Sequence, residues 1–307
     1  MRMRTSIWRG ILLAFVAFCP APSAERDVSF VQLETVLSSR DPGSEGALLS
    51  VAGGEGLATR PWEVYHFLAV AYHKSGVDLM KNLLHDIFHA LGAPDTAIGK
   101  WCRPCYPNTC ANPTAPIRVL LDMYSPEVEA RERASAPQGM RVAGSVRNPL
   151  DMVASAYCYH IRMQEPLNLM TLAPLLLFMD LKDGVAFLGR RMLELVEEMT
   201  AVFESPANDT HRVDYERMVG SSDGFDVELE KLLTFWFEGM NLTDEEWELV
   251  RRAGRQQDLH RFPEVDDHEH TNSPDCMANA RNATLAMPTG LLARYKACQQ
   301  RLGYPMG

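Results

Sequence analysis

The fold is decided by residues 64–78, which read VYHFLAVAYHKSGVD. The apolar run from Val64 to Tyr72 is typical of a strand buried on both faces of a parallel sheet. Apolar residues then recur at helical spacing from Leu79 to Phe88, and the pattern stops near Gly92. These residues therefore predict a strand, a tight turn at positions 73–76 and a helix.

The same alternation continues along the chain. Further strands are predicted at 117–123, 140–146 and 211–215. Helices are predicted at 126–134, 149–160, 167–204, 229–237 and 291–302. Pro149 suits the first position of its helix, because its missing N–H would have no partner there. Strands alternating with helices predict an α/β fold, in which helices flank a central parallel sheet.

Two of the predicted turns carry residues that suit anion binding. Such sheets bind ligands at the carboxyl ends of their strands, and both turns lie at such ends. After the first strand, Lys74 supplies a positive charge, Gly76 lets the backbone approach closely, and the helix N-terminus favours an anion. After the third strand, Arg147 and Ser155 can bind one phosphate together. Taken singly, each turn also fits an ordinary strand-to-helix connection.

Together, the two turns resemble the PAPS-binding motifs of the sulfotransferase superfamily, PAPS being 3′-phosphoadenosine 5′-phosphosulfate. The resembling motifs are Lys74-Ser75-Gly76, and Arg147-Asn148-Pro149 with Ser155 eight residues after Arg147. A third family segment is similar to residues 212–218 together with 229–235. The C-terminal ends of Golgi-type members are similar to residues 295–304. The resemblance covers residues 64–304. It implies a P-loop-like nucleotide-binding fold and transfer of a sulfuryl group from PAPS to a hydroxyl, less readily an amine, without a metal.

Position by position, the resemblance also implies a set of ligand contacts. The 5′-phosphosulfate would be held by Lys74, Ser75, Gly76, Val77 and Asp78. The 3′-phosphate would be held by Arg147 and Ser155, and Tyr215 would lie near the adenine. Lys74 would also neutralise charge as the sulfuryl group leaves. No motif fixes the general base. The candidates are Asp122, Glu127 and His160, and His73 is also considered because it adjoins Lys74.

Val77 and Asp78 depart from the family pattern, which has two hydroxyl residues after the glycine. Valine still offers its backbone N–H, but an aspartate repels a bound anion unless it turns away or neutralises Lys81. This departure leaves open an inactive lumenal binding protein of the same fold. A nucleotide-dependent kinase with a divergent P-loop is a second alternative, although the Gly-x4-Gly-Lys-Ser/Thr string is absent.

The first 24 residues have the composition of a targeting segment. Three arginines precede an apolar run from Ile11 to Cys19, and small residues follow at 20–24. A run of about nine residues is short for a transmembrane helix, so a cleaved signal peptide is predicted, with a short membrane anchor as the alternative. Residues 25–60 are interpreted as a stem, and 61–307 as the sulfotransferase domain. These features predict the Golgi lumen, or secretion.

Charge and cysteine content fit that compartment. Removing residues 1–24 takes away three arginines and no acid, so the net charge moves from −10 to −13. Such an acidic chain is a poor partner for nucleic acid, and membrane contact is expected only through an uncleaved N-terminal segment. The expected partner is a glycan or small hydroxyl acceptor.

Six cysteines would remain after removal of residues 1–24, at positions 102, 105, 110, 158, 276 and 298. They favour disulfides of undetermined pairing over a zinc site. Asn208, Asn241 and Asn282 begin glycosylation sequons.

Overall fold

A computed structural model describes residues 59–99, 112–162, 173–263 and 271–306. Its four strands are His66–Ala71 (β1), Ile117–Leu121 (β2), Met140–Val146 (β3) and Thr210–Asp214 (β4). Its helices are Pro61–Val64 (α1), Val77–Ala90 (α2), Pro126–Ser135 (α3), Pro149–His160 (α4), Ala173–Leu176 (α5), Leu181–Phe203 (α6), Tyr215–Met218 (α7), Ser222–Phe237 (α8), Asp244–Arg255 (α9), Pro274–Thr284 (α10) and Thr289–Arg301 (α11). The strands form one parallel sheet, so the predicted α/β fold, with helices flanking a central parallel sheet, is confirmed.

Helices cover both faces of this sheet. Phe67 and Ala69 of β1 face the side where α2, α8 and α9 pack, whereas Leu68 and Val70 face α4, α6, α10 and α11. All four of these β1 side chains are fully buried. This double burial explains why the strand is apolar at successive positions, without the alternation of a half-exposed strand.

The strand order is β2-β1-β3-β4, and it creates a switch point in the sheet. From β1 the chain passes to β2 on one side, and it then returns to β3 on the other side of β1. The direction of winding therefore reverses between β1 and β3. In open α/β sheets, ligands bind outside the carboxyl ends of the two strands that flank such a point. Those two ends lead into the turns at Lys74 and Arg147.

Three of the four predicted strands have boundaries that were wrong by one or two residues; the second, predicted to reach Met123, ends at Leu121. The first strand begins at His66, because Pro61–Val64 forms a short helix in which the N–H of Arg60 donates to the Glu63 carboxylate at 2.9 Å. The strand predicted to end at Tyr215 ends at Asp214. The Asp214 carboxylate accepts from the N–H of Arg217 at 3.1 Å and thereby caps α7, which begins at Tyr215. The helical prediction for 167–204 was also wrong in part, because residues 177–180 separate α5 from α6.

A disulfide joins two of the helices on the side of the sheet where α4 packs. Cys158 of α4 and Cys276 of α10 form a disulfide, which confirms for this pair the predicted disulfide content. Cys298 is buried in α11 as a thiol. The predictions for positions 102, 105 and 110, and for the signal peptide and most of the stem, lie outside the described residues. Within the described ranges, no helix has the length and apolarity needed to cross a membrane.

Burial lowers the pKa of three histidines from its ordinary value of about 6.5, namely His66, His85 and His211. His211 is the clearest case. Its ring stacks on Phe235 with centroids 5.2 Å apart, and its Nε2 is buried without a hydrogen-bond partner among the described residues. Lys231 lowers this pKa further, whereas Glu228 opposes the shift.

His211 should make folding stability depend on pH. The folded state binds a proton at His211 less readily than the unfolded chain does. The contribution of neutral His211 to folding stability is therefore present above pH 6.5, and it is lost as the pH falls toward the lowered pKa. At pH 5.5 the loss is at most about 1.4 kcal/mol. Urea unfolding near pH 7.5 and 5.5 should therefore show a smaller drop in the free energy of unfolding for His211→Phe than for the wild type. Equal drops would contradict this assignment.

Candidate functional site

The turn after β1 has a backbone shape that brings its N–H groups to the end of the sheet. Lys74 and Gly76 both lie in the left-handed region, with φ of 68° and 105°. Such left-handed positions next to a helix N-terminus form anion-binding concavities. At Gly76 a Cβ would come within 2.9 Å of the Tyr215 ring and 3.2 Å of the Ser145 hydroxyl. Both the conformation and this contact require glycine, and α2 begins at Val77 without a side-chain cap.

Ser75 holds this turn in shape. Its side chain is fully buried, and its hydroxyl accepts from the N–H of Tyr72 at 2.9 Å. The hydroxyl of Ser145 donates to the Ser75 carbonyl, which attaches the turn to the neighbouring strand β3. The structure thus gives this serine an internal role, and its contact with a phosphosulfate stays a prediction.

Arg147 joins the two predicted turns. Its Nη1 donates to the carbonyl oxygen of Lys74 at 2.8 Å, although the two residues are 73 positions apart. Its guanidinium also lies over the Tyr215 ring, 4.6 Å from the ring centroid, and the same ring contacts Gly76. Four of the predicted site residues are therefore neighbours at the switch point between β1 and β3.

The side chain of Lys74 contacts α4. Its Nζ lies 3.0 Å from the centroid of the Tyr159 ring. Tyr159 follows Ser155 by four residues, so the two side chains share one face of the helix. The lysine from the first turn thus reaches the helix that begins at the second turn.

Ser155 is held by hydrogen bonds from Asn272. The serine is only 4% exposed. The Asn272 Nδ2 donates to the Ser155 hydroxyl at 2.9 Å and to the Ser155 carbonyl at 3.1 Å. Asn272 immediately precedes the capping Ser273 of α10, the helix that the disulfide attaches to α4.

A half-buried carboxylate supports the Arg147 turn. The carboxylate of Glu216 accepts from the N–H of Asn148 at 2.7 Å and from the hydroxyl of Tyr304 at 2.9 Å. Burial raises the pKa of Glu216, while these two hydrogen bonds and the charge of Arg147 lower it. The amide oxygen of Asn148 accepts from the N–H of Leu150 at 3.0 Å and so caps α4. The turn is therefore fixed before any ligand arrives.

Asp78 forms an ion pair within its own helix. Its Oδ1 lies 2.6 Å from the Nζ of Lys81, and the two side chains are 41% and 30% exposed. The pairing is one of the two outcomes that the sequence allowed for this aspartate. It offsets the negative charge that Asp78 places beside the turn.

The three candidate bases occupy different surroundings. His160 is buried, with its Nε2 3.0 Å from the Nε2 of His73, and the two rings are stacked. Asp122 follows β2 with a φ of 57°, and its N–H donates to the carbonyl of Ala71 at 3.0 Å. Glu127 is exposed, and the hydrogen bond from the Ser125 hydroxyl lowers its pKa, which makes it a weaker base. His160 is thus attached to the Lys74 turn through the adjacent His73.

Two neighbours of the site, Tyr159 and Asn272, were not predicted from the sequence, and neither was the contact between His73 and His160. Tyr159 could have been found, because it lies one helical turn after Ser155. His73 is adjacent to Lys74, but nothing local indicates its pairing with His160. Asn272 lies 117 residues from Ser155, and no sequence signal connects them. Among the described residues, no group of three or more histidine, cysteine or acidic side chains could hold a metal ion.

Comparisons with known proteins include a weak structural likeness. No known family profile matches the chain, and no curated protein matches its sequence. Among solved structures, the chain is similar to the crystal structure of mouse sulfotransferase SULT7A1 complexed with PAP. The TM-score is 0.43 and the sequence identity is 12%, over 80% of this chain and 86% of the other.

Proposed function

We propose that this chain is a sulfotransferase that moves a sulfuryl group from PAPS to an acceptor hydroxyl. The observation that carries the proposal is the hydrogen bond from Arg147 to the carbonyl of Lys74, at 2.8 Å. It places the two cation-bearing turns at one switch point, where a nucleotide with anionic groups at both ends can contact them together. If the two turns had faced separate surfaces, one nucleotide could not have contacted both of them, and the proposal would have had no basis.

The proposed residue roles are those that the resemblance implies, position by position. Lys74, Gly76 and the N-terminus of α2 would bind the 5′-phosphosulfate, with the side chain of Lys74 offsetting charge on the leaving oxygen. Arg147 and Ser155 would bind the 3′-phosphate. Tyr215 lies between the two groups of contacts, against both Gly76 and Arg147, and offers an aromatic surface to the nucleoside. The chain carries a net charge of −10, so this local pair of cations has to attract the anionic ligand.

The pairing of Asp78 supports an active enzyme over an inactive binding protein. An unpaired aspartate beside the turn would repel a phosphosulfate, whereas Lys81 offsets that charge at 2.6 Å. Valine at position 77 still contributes its backbone N–H at the start of α2.

The contacts at the Lys74 turn favour His160 and His73 over Glu127 for the proton transfer. A hydrogen bond between two Nε2 atoms requires one of them to lack a proton, so at least one ring is neutral and able to accept a proton. His73 is the more exposed of the two rings and lies next to Lys74. Asp122 remains a second candidate, because it lies beside the carboxyl end of β1.

For the acceptor we propose a glycan or another small hydroxyl compound met in the Golgi lumen, or outside the cell if the chain is secreted. The disulfide between Cys158 and Cys276 fits an oxidising compartment. The three sequon asparagines, Asn208, Asn241 and Asn282, are all exposed, as glycosylation requires.

Thermal unfolding with added nucleotides tests the proposal. PAP, the desulfated product of PAPS, should raise the unfolding temperature without any metal, because ligand that binds only the folded state stabilises it. At a concentration 100 times its dissociation constant, the stabilisation is about 2.7 kcal/mol. Stabilisation by ATP with magnesium alone would favour the kinase alternative, and no effect of either nucleotide would favour the inactive scaffold. Labelled PAPS with a panel of glycans and small hydroxyl compounds would then identify the acceptor.

A further inference from the structure

The side-chain amide of Asn272 determines which way the Ser155 hydroxyl can point. Its Nδ2 contacts both the hydroxyl and the carbonyl oxygen of Ser155, at 2.9 and 3.1 Å. A carbonyl oxygen only accepts hydrogen bonds, so the atom facing it must be the NH₂ group. The same NH₂ group therefore donates to the serine oxygen, and the serine cannot donate back to it.

The hydroxyl proton of Ser155 is left available for a ligand. Among the described residues, the hydrogen bond from Asn272 is the one that the Ser155 side chain makes, and no acceptor receives its O–H. The usual internal acceptor of a helical serine is the carbonyl four residues earlier, here that of Asp151. Thr200 makes that type of bond, to Val196 at 2.7 Å, but Ser155 does not.

We propose that Asn272 is a positioning residue for the phosphate site, which orients the Ser155 hydroxyl as a donor toward the 3′-phosphate of the nucleotide. This inference rests on the proposed function and adds a residue to its 3′-phosphate contacts. A hydroxyl whose oxygen already accepts one hydrogen bond is also a better donor, because successive hydrogen bonds polarise one another.

Asn272 itself is fixed by the attachment of α10 to α4. The disulfide between Cys158 and Cys276 joins the two helices, and Arg281 forms an ion pair with Asp151 at 2.7 Å. The Oδ1 of Asn272 is buried without a hydrogen-bond partner among the described residues. Truncating the side chain therefore also removes an unsatisfied acceptor, so the loss of folding stability should be small.

The experiment compares PAP with AMP, which lacks the 3′-phosphate, in titration calorimetry of four proteins. These are the wild type, Asn272→Ala, Ser155→Ala and the double variant. Ser155→Ala should weaken PAP binding about tenfold, and Asn272→Ala about three- to tenfold. The double variant should bind PAP no more weakly than Ser155→Ala, since Asn272 acts through the serine. AMP binding should be unchanged in all four.

A second variant reverses the orientation of the hydroxyl. In Asn272→Asp the carboxylate cannot donate to the Ser155 carbonyl or hydroxyl as the amide does. It accepts the serine O–H instead, which turns the proton away from the phosphate. PAP should bind this variant more weakly than Asn272→Ala, while AMP binding stays unchanged. Additive losses in the double variant, or equal losses for PAP and AMP, would overturn the inference and leave the proposed function standing. A wild type that binds no PAP would overturn both.

Discussion

Replacing Arg147 with alanine is expected to raise the dissociation constant for PAP about 30- to 700-fold, equivalent to about 2–4 kcal/mol. The guanidinium lies at the switch point between β1 and β3, half-buried over the Tyr215 ring, where water screens its charge less than at an open surface. Removing it leaves the 3′-phosphate without its charged partner. Titration calorimetry with PAP and with AMP measures the effect, and AMP binding should change much less.

The variant also removes structural contacts, and Arg212→Ala provides a matched control for them. Arg212 donates from Nη1 to the carbonyl of Leu302 at 2.7 Å, and its guanidinium lies over the Tyr304 ring at 5.4 Å. It therefore makes the same two kinds of contact as Arg147, one to a backbone carbonyl and one to a tyrosine ring. Arg212→Ala should lower the unfolding temperature by a similar amount while PAP binds as before. Equal PAP affinities in the two variants would remove Arg147 from the 3′-phosphate site.

The elements that the sequence predicted best are those with local signals at both ends. The third strand, Met140–Val146, and the helix Pro149–His160 have the predicted boundaries. The strand lies between a glycine turn and Arg147, and proline at position 149 starts the helix where its missing N–H has no partner. Here the boundary depends on a few adjacent residues, so the sequence contains the necessary information.

Other elements depend on signals that lie outside the apolar pattern. The helix predicted at 229–237 begins at Ser222, because the hydroxyl of Ser221 accepts from the N–H of Gly224. Asp244–Arg255 was not predicted, although Thr243 and Glu246 form a capping box there. Pro274–Thr284 has few apolar residues, and it is placed by the disulfide and by contacts with α4, which are tertiary interactions.

The same distinction applies to the candidate site. The turn at Lys74 and the turn at Arg147 were predictable, since each is a short pattern at the end of a strand. Their adjacency follows from β1 pairing with β3, which the sequence did not specify. The contact between Asn272 and Ser155 depends on how α10 docks on α4, which no local pattern encodes.

Replacing both Cys158 and Cys276 with alanine is expected to lower the free energy of unfolding by about 2–5 kcal/mol. The bond joins residues 118 positions apart, so breaking it restores much conformational freedom to the unfolded chain. The ion pair between α4 and α10 is weak by comparison. The ion pair of Arg281 with Asp151 has side chains 53% and 19% exposed, and such pairs contribute less than about 1 kcal/mol.

Urea unfolding followed by tryptophan fluorescence measures this loss, since Trp236 is fully buried and reports on the core. Cys298→Ala is the matched control, because this cysteine is as buried as Cys158, at 2% exposure, but is a thiol in the described structure. It should cost about 1 kcal/mol, the ordinary effect of trimming a buried side chain. PAP affinity should fall in the double variant and not in Cys298→Ala, because α10 carries Asn272 to Ser155. If the two variants had the same stability, Cys158 and Cys276 would not be bonded in solution, and the attachment of α10 would need another explanation.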